Sequence, residues 1–119
     1  MTKPAKLKLT FYQGATFSKR LRWTVKATGV PIDLTGCAAR MQVRPEVESS
    51  TVLLELTTAN GGITLGGVAG TIELFVSDDA STLFTWSAGV WDLEIEFPSG
   101  DVTRLAQGTV SVSPEVTRD

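Results

Sequence analysis

The sequence predicts an all-β domain, an antiparallel two-layer sandwich with one short helical connection. Three observations predict it. Apolar residues recur at every second position in several short segments, the mark of strands with one buried and one wet face. Clusters of Gly, Pro, Ser and Asn separate these segments at fairly regular spacing, which suits a sandwich or barrel better than alternating strands and helices. The chain has 119 residues, 42% of them apolar, enough for one core without metal or disulfide staples.

The elements follow in chain order. Leu7–Tyr12 reads as a first strand. In "FSKRLRWTVK" (17–26), Phe17, Leu21, Trp23 and Val25 share one face, and Arg20, Arg22, Thr24 and Lys26 share the other. Turn signals at 27–31 ("ATGVP") and 34–36 ("LTG") lead to a strand over Ala38–Arg44. "RPEVESS" (44–50) breaks the chain before Val52–Leu56, and a short strand is expected at Ile63–Leu65. Thr71–Val76 follows. "SDDASTLFTW" (77–86) departs from period two. Ser77 suits an N-cap, and Asp78 and Asp79 suit the positive end of a helix, so one or two helical turns should link two strands across an end of the sandwich. In "VWDLEIEF" (90–97), Trp91, Leu93, Ile95 and Phe97 point in, and Asp92, Glu94 and Glu96 point out. "PSGD" then turns the chain into Val102–Val112. The whole reads as one domain over 1–119, with residues 1–8 as an N-terminal arm and 114–119 as an exposed tail.

The densest glycine stretch, "NGGITLGGVAG" (60–70), carries no nucleotide chemistry. A phosphate-binding P-loop needs a lysine, and no lysine follows Lys26. A dinucleotide fingerprint needs Gly-x-Gly between strand and helix, and here a strand follows. Turns explain it better: Asn60-Gly61 as a hairpin dipeptide and "GGVAG" as a second reversal.

Composition excludes further classes. There is no histidine, which removes the commonest general base, metal ligand and nucleophile activator. The single cysteine, Cys37, cannot form an internal disulfide, and a reducing cytoplasm is the expected folding environment. It sits among small residues and reads as a small buried hydrophobe. No segment has the length of a membrane span, and the basic first residues lack the apolar stretch of a secretory signal. Trp23 and Trp91 fall on apolar strand faces, leaving Trp86 as the tryptophan expected to be partly exposed.

The net charge of −2 conceals a split. Residues 1–45 hold nine Lys/Arg and one acid, a sum of +8; residues 46–119 hold two Lys/Arg and twelve acids, a sum of −10. The N-terminal basic cluster raises the question of nucleic acid, but a sequence pI near 5.1 argues against a dedicated binder. Two arrangements remain open. Asp92, Glu94 and Glu96 can lie opposite basic residues, and Arg20, Arg22 and Lys26 have matching spacing on another strand. Otherwise the charges lie on different faces and the domain can stack head to tail.

The order of "QGAT", "PIDLTG", "SDDASTL", "AGVWDLE" and the closing "VTRLAQGTVSVSPEVT" resembles a group of small β-sandwich proteins of tailed bacteriophages and prophages. It is similar to the N-terminal domain of siphophage upper baseplate proteins. The resemblance covers nearly the whole chain, and its motifs are turn signals rather than a catalytic set. It implies an immunoglobulin-like sandwich and a virion structural protein made in the host cytoplasm. In the baseplate proteins, further segments carry receptor binding; a chain of 119 residues is expected to be an adaptor or decoration module instead, with a host receptor left open.

The expectation is therefore a non-enzymatic protein without cofactor or metal, docking in multiple copies on the tail tip or baseplate. Its partners are other phage structural proteins, including copies of itself; nucleic acid and membrane are not expected. The contact residues are drawn from the arm (Lys3, Lys6, Lys8), the basic strand (Arg20, Arg22, Lys26) and the acidic strand (Asp92, Glu94, Glu96). The tail adds Glu115 and Arg118. The alternatives are a capsid decoration protein, or a glycan- or host-protein-binding module using Trp86.

Overall fold

The computed structural model describes residues 4–117. Among the described residues nine strands form two sheets: β1 (Ala5–Lys6), β2 (Leu9–Tyr12), β3 (Phe17–Arg22), β4 (Ala38–Arg44), β5 (Leu54–Thr57), β6 (Ile63–Leu65), β7 (Thr71–Val76), β8 (Ala88–Glu96) and β9 (Val102–Ser113). The large sheet runs β1-β9-β8-β4-β5, with β2 also on β9; the small sheet runs β3-β7-β6. All pairings are antiparallel except those of β1 and β2, which run parallel to β9. Helix α1 (Asp78–Thr82) carries the chain from β7 in the small sheet to β8 in the large one.

Period two does what the sequence promises. Met41 and Val43 of β4, Ile72, Leu74 and Val76 of β7, and Trp91, Leu93 and Ile95 of β8 point inward and are buried in a single core. Phe11 anchors one end, with Phe17 edge-on at 4.5 Å and Trp86 edge-on at 6.2 Å.

Four local outcomes depart from the sequence reading. First, the strand expected to reach Lys26 ends at Arg22. Its partner β7 starts at Thr71, where Gly70 turns the chain at φ 68°. Trp23 donates its N–H to the Gly70 carbonyl at 2.8 Å, and the segment then doubles back through Val25–Val30. Without a facing strand, Val25 is exposed. A Cβ at Gly70 would stand 2.6 Å from the Trp23 carbonyl, so glycine is required twice over.

Second, the expected free arm is partly sheet. Ala5 and Lys6 pair with Ala106 and Gln107. Leu7 then donates to the Gln107 carbonyl at 2.9 Å, and a Cβ at Gly108 would overlap the Leu7 backbone. Gly108 thus lets the N-terminal segment lie against β9. Beyond β9, residues 116–117 are exposed, and the Glu115 N–H donates to Gln13 Oε1 at 2.9 Å.

Third, Asn60-Gly61 does not close a hairpin. It joins β5 of the large sheet to β6 of the small one. Only Gly61 takes positive φ; Asn60 holds the turn with its carboxamide. Its Oδ1 accepts from the N–H groups of Thr57 (2.9 Å) and Gly62 (2.8 Å), and its Nδ2 donates to the Glu55 carbonyl (3.0 Å). The second reversal, over "GGVAG", does make the β6–β7 hairpin.

Fourth, β9 carries a bulge. Leu93 faces Ala106 but Glu94 faces Arg104, which leaves Leu105 without a partner. Strict alternation would put Arg104 on the same side as Ala106 and Val110, in the core. The extra residue flips the strand's phase and turns Arg104 outward.

The turn motifs meet one another in space. Ser77 caps α1 by accepting from the Ala80 N–H at 3.1 Å. Ser81, fully buried, accepts from the Gly14 N–H at 3.0 Å and donates to the Ala15 carbonyl at 2.9 Å. Gln13 Nε2 donates to the Phe84 carbonyl at 3.1 Å. "QGAT" and "SDDASTL" are therefore two halves of one clamp. "PIDLTG" is a second device. Asp33 accepts from the backbone and hydroxyl of Thr35, and buried Leu34 donates to the Gly67 carbonyl.

Candidate interaction surface

The outer face of the large sheet gathers a cluster of charges of both signs. On β4, Arg40, Gln42 and Arg44 occupy alternate positions; on β8, Asp92, Glu94 and Glu96 do the same. Register sets Arg40 opposite Glu94 and Gln42 opposite Asp92. From β9 the bulge presents Arg104 opposite Glu94, with Gln107 opposite Asp92. All of these side chains but Glu96 line an open cavity of about 600 Å³, together with Val47 and Val90.

The charges are paired internally. Arg40 meets Glu94 at 3.2 Å and Arg104 meets Asp92 at 3.6 Å. Gln42 bridges two strands, donating to Glu55 Oε2 at 2.6 Å and accepting from Arg44 at 2.8 Å. Arg44 also donates to the Ser49 carbonyl at 2.6 Å, tying the β4–β5 loop to the cavity wall. Asp92 is the strained member. Burial first, and Glu94 second, push its carboxyl above the ordinary carboxylate range; Arg104, Arg40 and Arg44 pull the other way without prevailing. Removal from water, with Glu94, outweighs the three nearby guanidiniums.

The sequence-derived contact residues scatter over this frame. Asp92 and Glu94 line the cavity, while Glu96 lies exposed at the end of the same strand, outside it. Arg20 and Arg22 lie on the other sheet, so they are not the acids' partners; Arg20 pairs with Glu73 at 2.6 Å. Lys26 falls in the turn after β3. Adjacent acidic and basic strands do occur, but within each sheet and with Arg40, Arg104 and Glu73 as the partners. Lys6 is exposed on β1 and Lys8 just after it. Trp86 is half-buried, tilted against Phe84 at 5.0 Å and edge-on to Phe11, so its ring is engaged with the core. Glu115 lies beside Gly14, where a Cβ would overlap its carboxylate. Lys3 and Arg118 lie outside the described residues.

Sequence reasoning missed Arg40, Gln42, Arg44 and Arg104. The first three carried a signal, since "ARMQVR" alternates as "WDLEIE" does. Arg104 carried a weaker one, a charge at a core-parity position that only a bulge could relieve. Cys37, expected as a buried hydrophobe, is half-buried against the core; burial and then Asp33 push its thiol up, which disfavours the nucleophilic thiolate. Among the described residues no cluster of three or more His, Cys, Asp or Glu is placed to hold a metal ion, and no helix is long and apolar enough to cross a membrane.

Solved structures share this architecture. A crystal structure of a chicken TCR aligns over 98% of this chain at 10% identity, with a TM-score of 0.59. A structure of VGSC beta subunits, from work on their multimeric cell-adhesive interactions, aligns over 95% of this chain and 96% of its own at 12% identity, with a TM-score of 0.52. The fold is immunoglobulin-like. The chain spans 57% of the length of the chicken chain it matches. No family model and no curated sequence matches it. At such identities the likeness extends to the fold alone, and the immunoglobulin-like sandwich leaves the purpose of its faces to be argued from their chemistry.

Proposed function

We propose that this chain is a non-enzymatic structural protein of a tailed-bacteriophage virion, an adaptor that docks in multiple copies on the tail tip or baseplate. The observation that carries the reading is the build of its motifs. The segments that resemble phage β-sandwich proteins, "QGAT", "SDDASTL" and "PIDLTG", serve as clamps and turns that brace the sandwich. Their hydrogen bonds brace the sandwich and leave the outer strand faces available for contact. The cavity face supports the non-enzymatic part. It offers carboxylates, guanidiniums and amides already paired to one another, with no histidine and no nucleophile beside a base. Such a face suits polar recognition of another protein.

Antibody-labelled electron microscopy of intact particles tests the proposal. Label at the tail tip is the expected result. Label over the head would replace it with capsid decoration. Absence from particles, together with tryptophan fluorescence that responds to sugars and is lost in Trp86→Ala, would replace it with a glycan-binding module.

A further inference from the structure

We propose that the free edge of β3 is a docking site for an extended acidic segment of a partner protein, added as a fourth strand to the small sheet. The inference does not depend on where on a particle the chain sits.

Ladder geometry comes first. Trp23 donates to Gly70 at 2.8 Å, so that pair is hydrogen-bonded, and alternation along an antiparallel ladder assigns Leu21, Lys19 and Phe17 the same role. The N–H and C=O groups of Ser18, Arg20 and Arg22 therefore point away from β7. β3 ends the sheet, and no described residue meets these groups.

Other edges are handled differently. On β5, the Asn60 carboxamide takes the outward Glu55 carbonyl and the outward Thr57 N–H. β6 has only three residues. On β2, the Tyr12 carbonyl is taken by the Ala15 N–H at 2.9 Å. β3 is the longest of these edge strands, at six residues, and an unblocked edge is a template for strand addition.

Charge selects the occupant. Arg20 and Arg22 project outward beside the free backbone, and Lys26 is exposed just beyond. Arg20 has Glu73, but Arg22 stands opposite Thr71 and has no carboxylate among the described residues. A second copy of β3 would set arginine against arginine, which disfavours self-pairing. A strand with carboxylates at alternate positions would meet these guanidiniums. Its intervening apolar side chains would cover Phe17 and Leu21, which are only partly buried.

The probe is a synthetic peptide, acetyl-Thr-Val-Glu-Val-Glu-Val-Thr-amide, titrated into the ¹⁵N-labelled protein and followed by amide NMR. The expected result is saturable shifts at Ser18, Arg20 and Arg22. Binding should weaken at least tenfold for the lysine-for-glutamate peptide, for the double variant Arg20→Glu/Arg22→Glu, and for Ser18→Pro. The proline removes an outward N–H that no described partner uses and keeps both arginines; dispersed core amide signals report that each variant is folded. No shift on β3, or equal shifts with the lysine peptide, would overturn the proposal. β3 signals that broaden with protein concentration alone would replace the acidic partner with a second copy.

Discussion

Asp92 shows how one residue's environment becomes a stability statement. Its carboxyl is raised by burial and by Glu94. A raised acid binds its proton more readily in the fold than in the unfolded chain, where the value is about 3.9. Its contribution is therefore favourable below that value and lost as pH rises through the folded one. Ionised Asp92 thus costs stability at neutral pH, and Asp92→Asn is expected to raise the urea midpoint there. Near pH 3, where the carboxyl is protonated in both states, the two midpoints should converge. Equal midpoints at neutral pH would mean that Arg104 compensates in full. Gly108 is the second residue-scale case. Gly108→Ala drives a methyl into the Leu7 backbone, and a loss of roughly 1–3 kcal/mol is expected in chemical denaturation. Amide exchange should quicken in Ala5–Lys6 and spare the β4–β8 ladder.

At the scale of the element, side chains decide where strands and turns stop. Asn60 is both a turn former and the cover of the β5 edge. Asn60→Ala removes three hydrogen bonds and is expected to cost about 1–3 kcal/mol, each being worth roughly 1 kcal/mol net. It also frees an edge strand, so light scattering at high concentration should rise; unchanged scattering would show that β5 is too short to pair. Ser77 is the simpler case. Its hydroxyl satisfies one helix donor, and Ser77→Ala should cost about 1 kcal/mol, read by the same denaturation. The bulge at Leu105 belongs here too, because one extra residue in β9 decides which face receives Arg104.

For the whole molecule, the split between a basic first third and an acidic remainder is offset in part within each sheet. Arg40 and Arg104 return to the acids of β8, and Arg20 to Glu73. Exposed pairs of this kind are worth about 0–1 kcal/mol each. Raising salt to ~0.5 M should therefore change unfolding free energy by no more than about 1 kcal/mol. The core carries the stability instead. Leu93 is fully buried between the sheets, and Leu93→Ala should cost about 2–5 kcal/mol. A large salt effect together with a small Leu93→Ala effect would reverse that ranking.

Alternation, turn residues and the Ser77 cap are local properties, and by themselves they determined the all-β class, the one-turn helix and nearly every strand. β4, β6 and β7 have the bounds that the pattern implies, because burial on one face and water on the other is written in period two. What alternation cannot contain is the identity of the neighbour. That Arg40 and Arg104, rather than Arg20 and Arg22, face the β8 acids depends on which strands share a sheet. The N-terminal segment became an edge of that sheet because Gly108 lets its backbone approach β9. The strand after Phe17 stopped at Arg22 because its partner ran out at Gly70. Each of these outcomes rests on contacts between residues far apart in the chain, where packing and backbone pairing override what any single segment prefers.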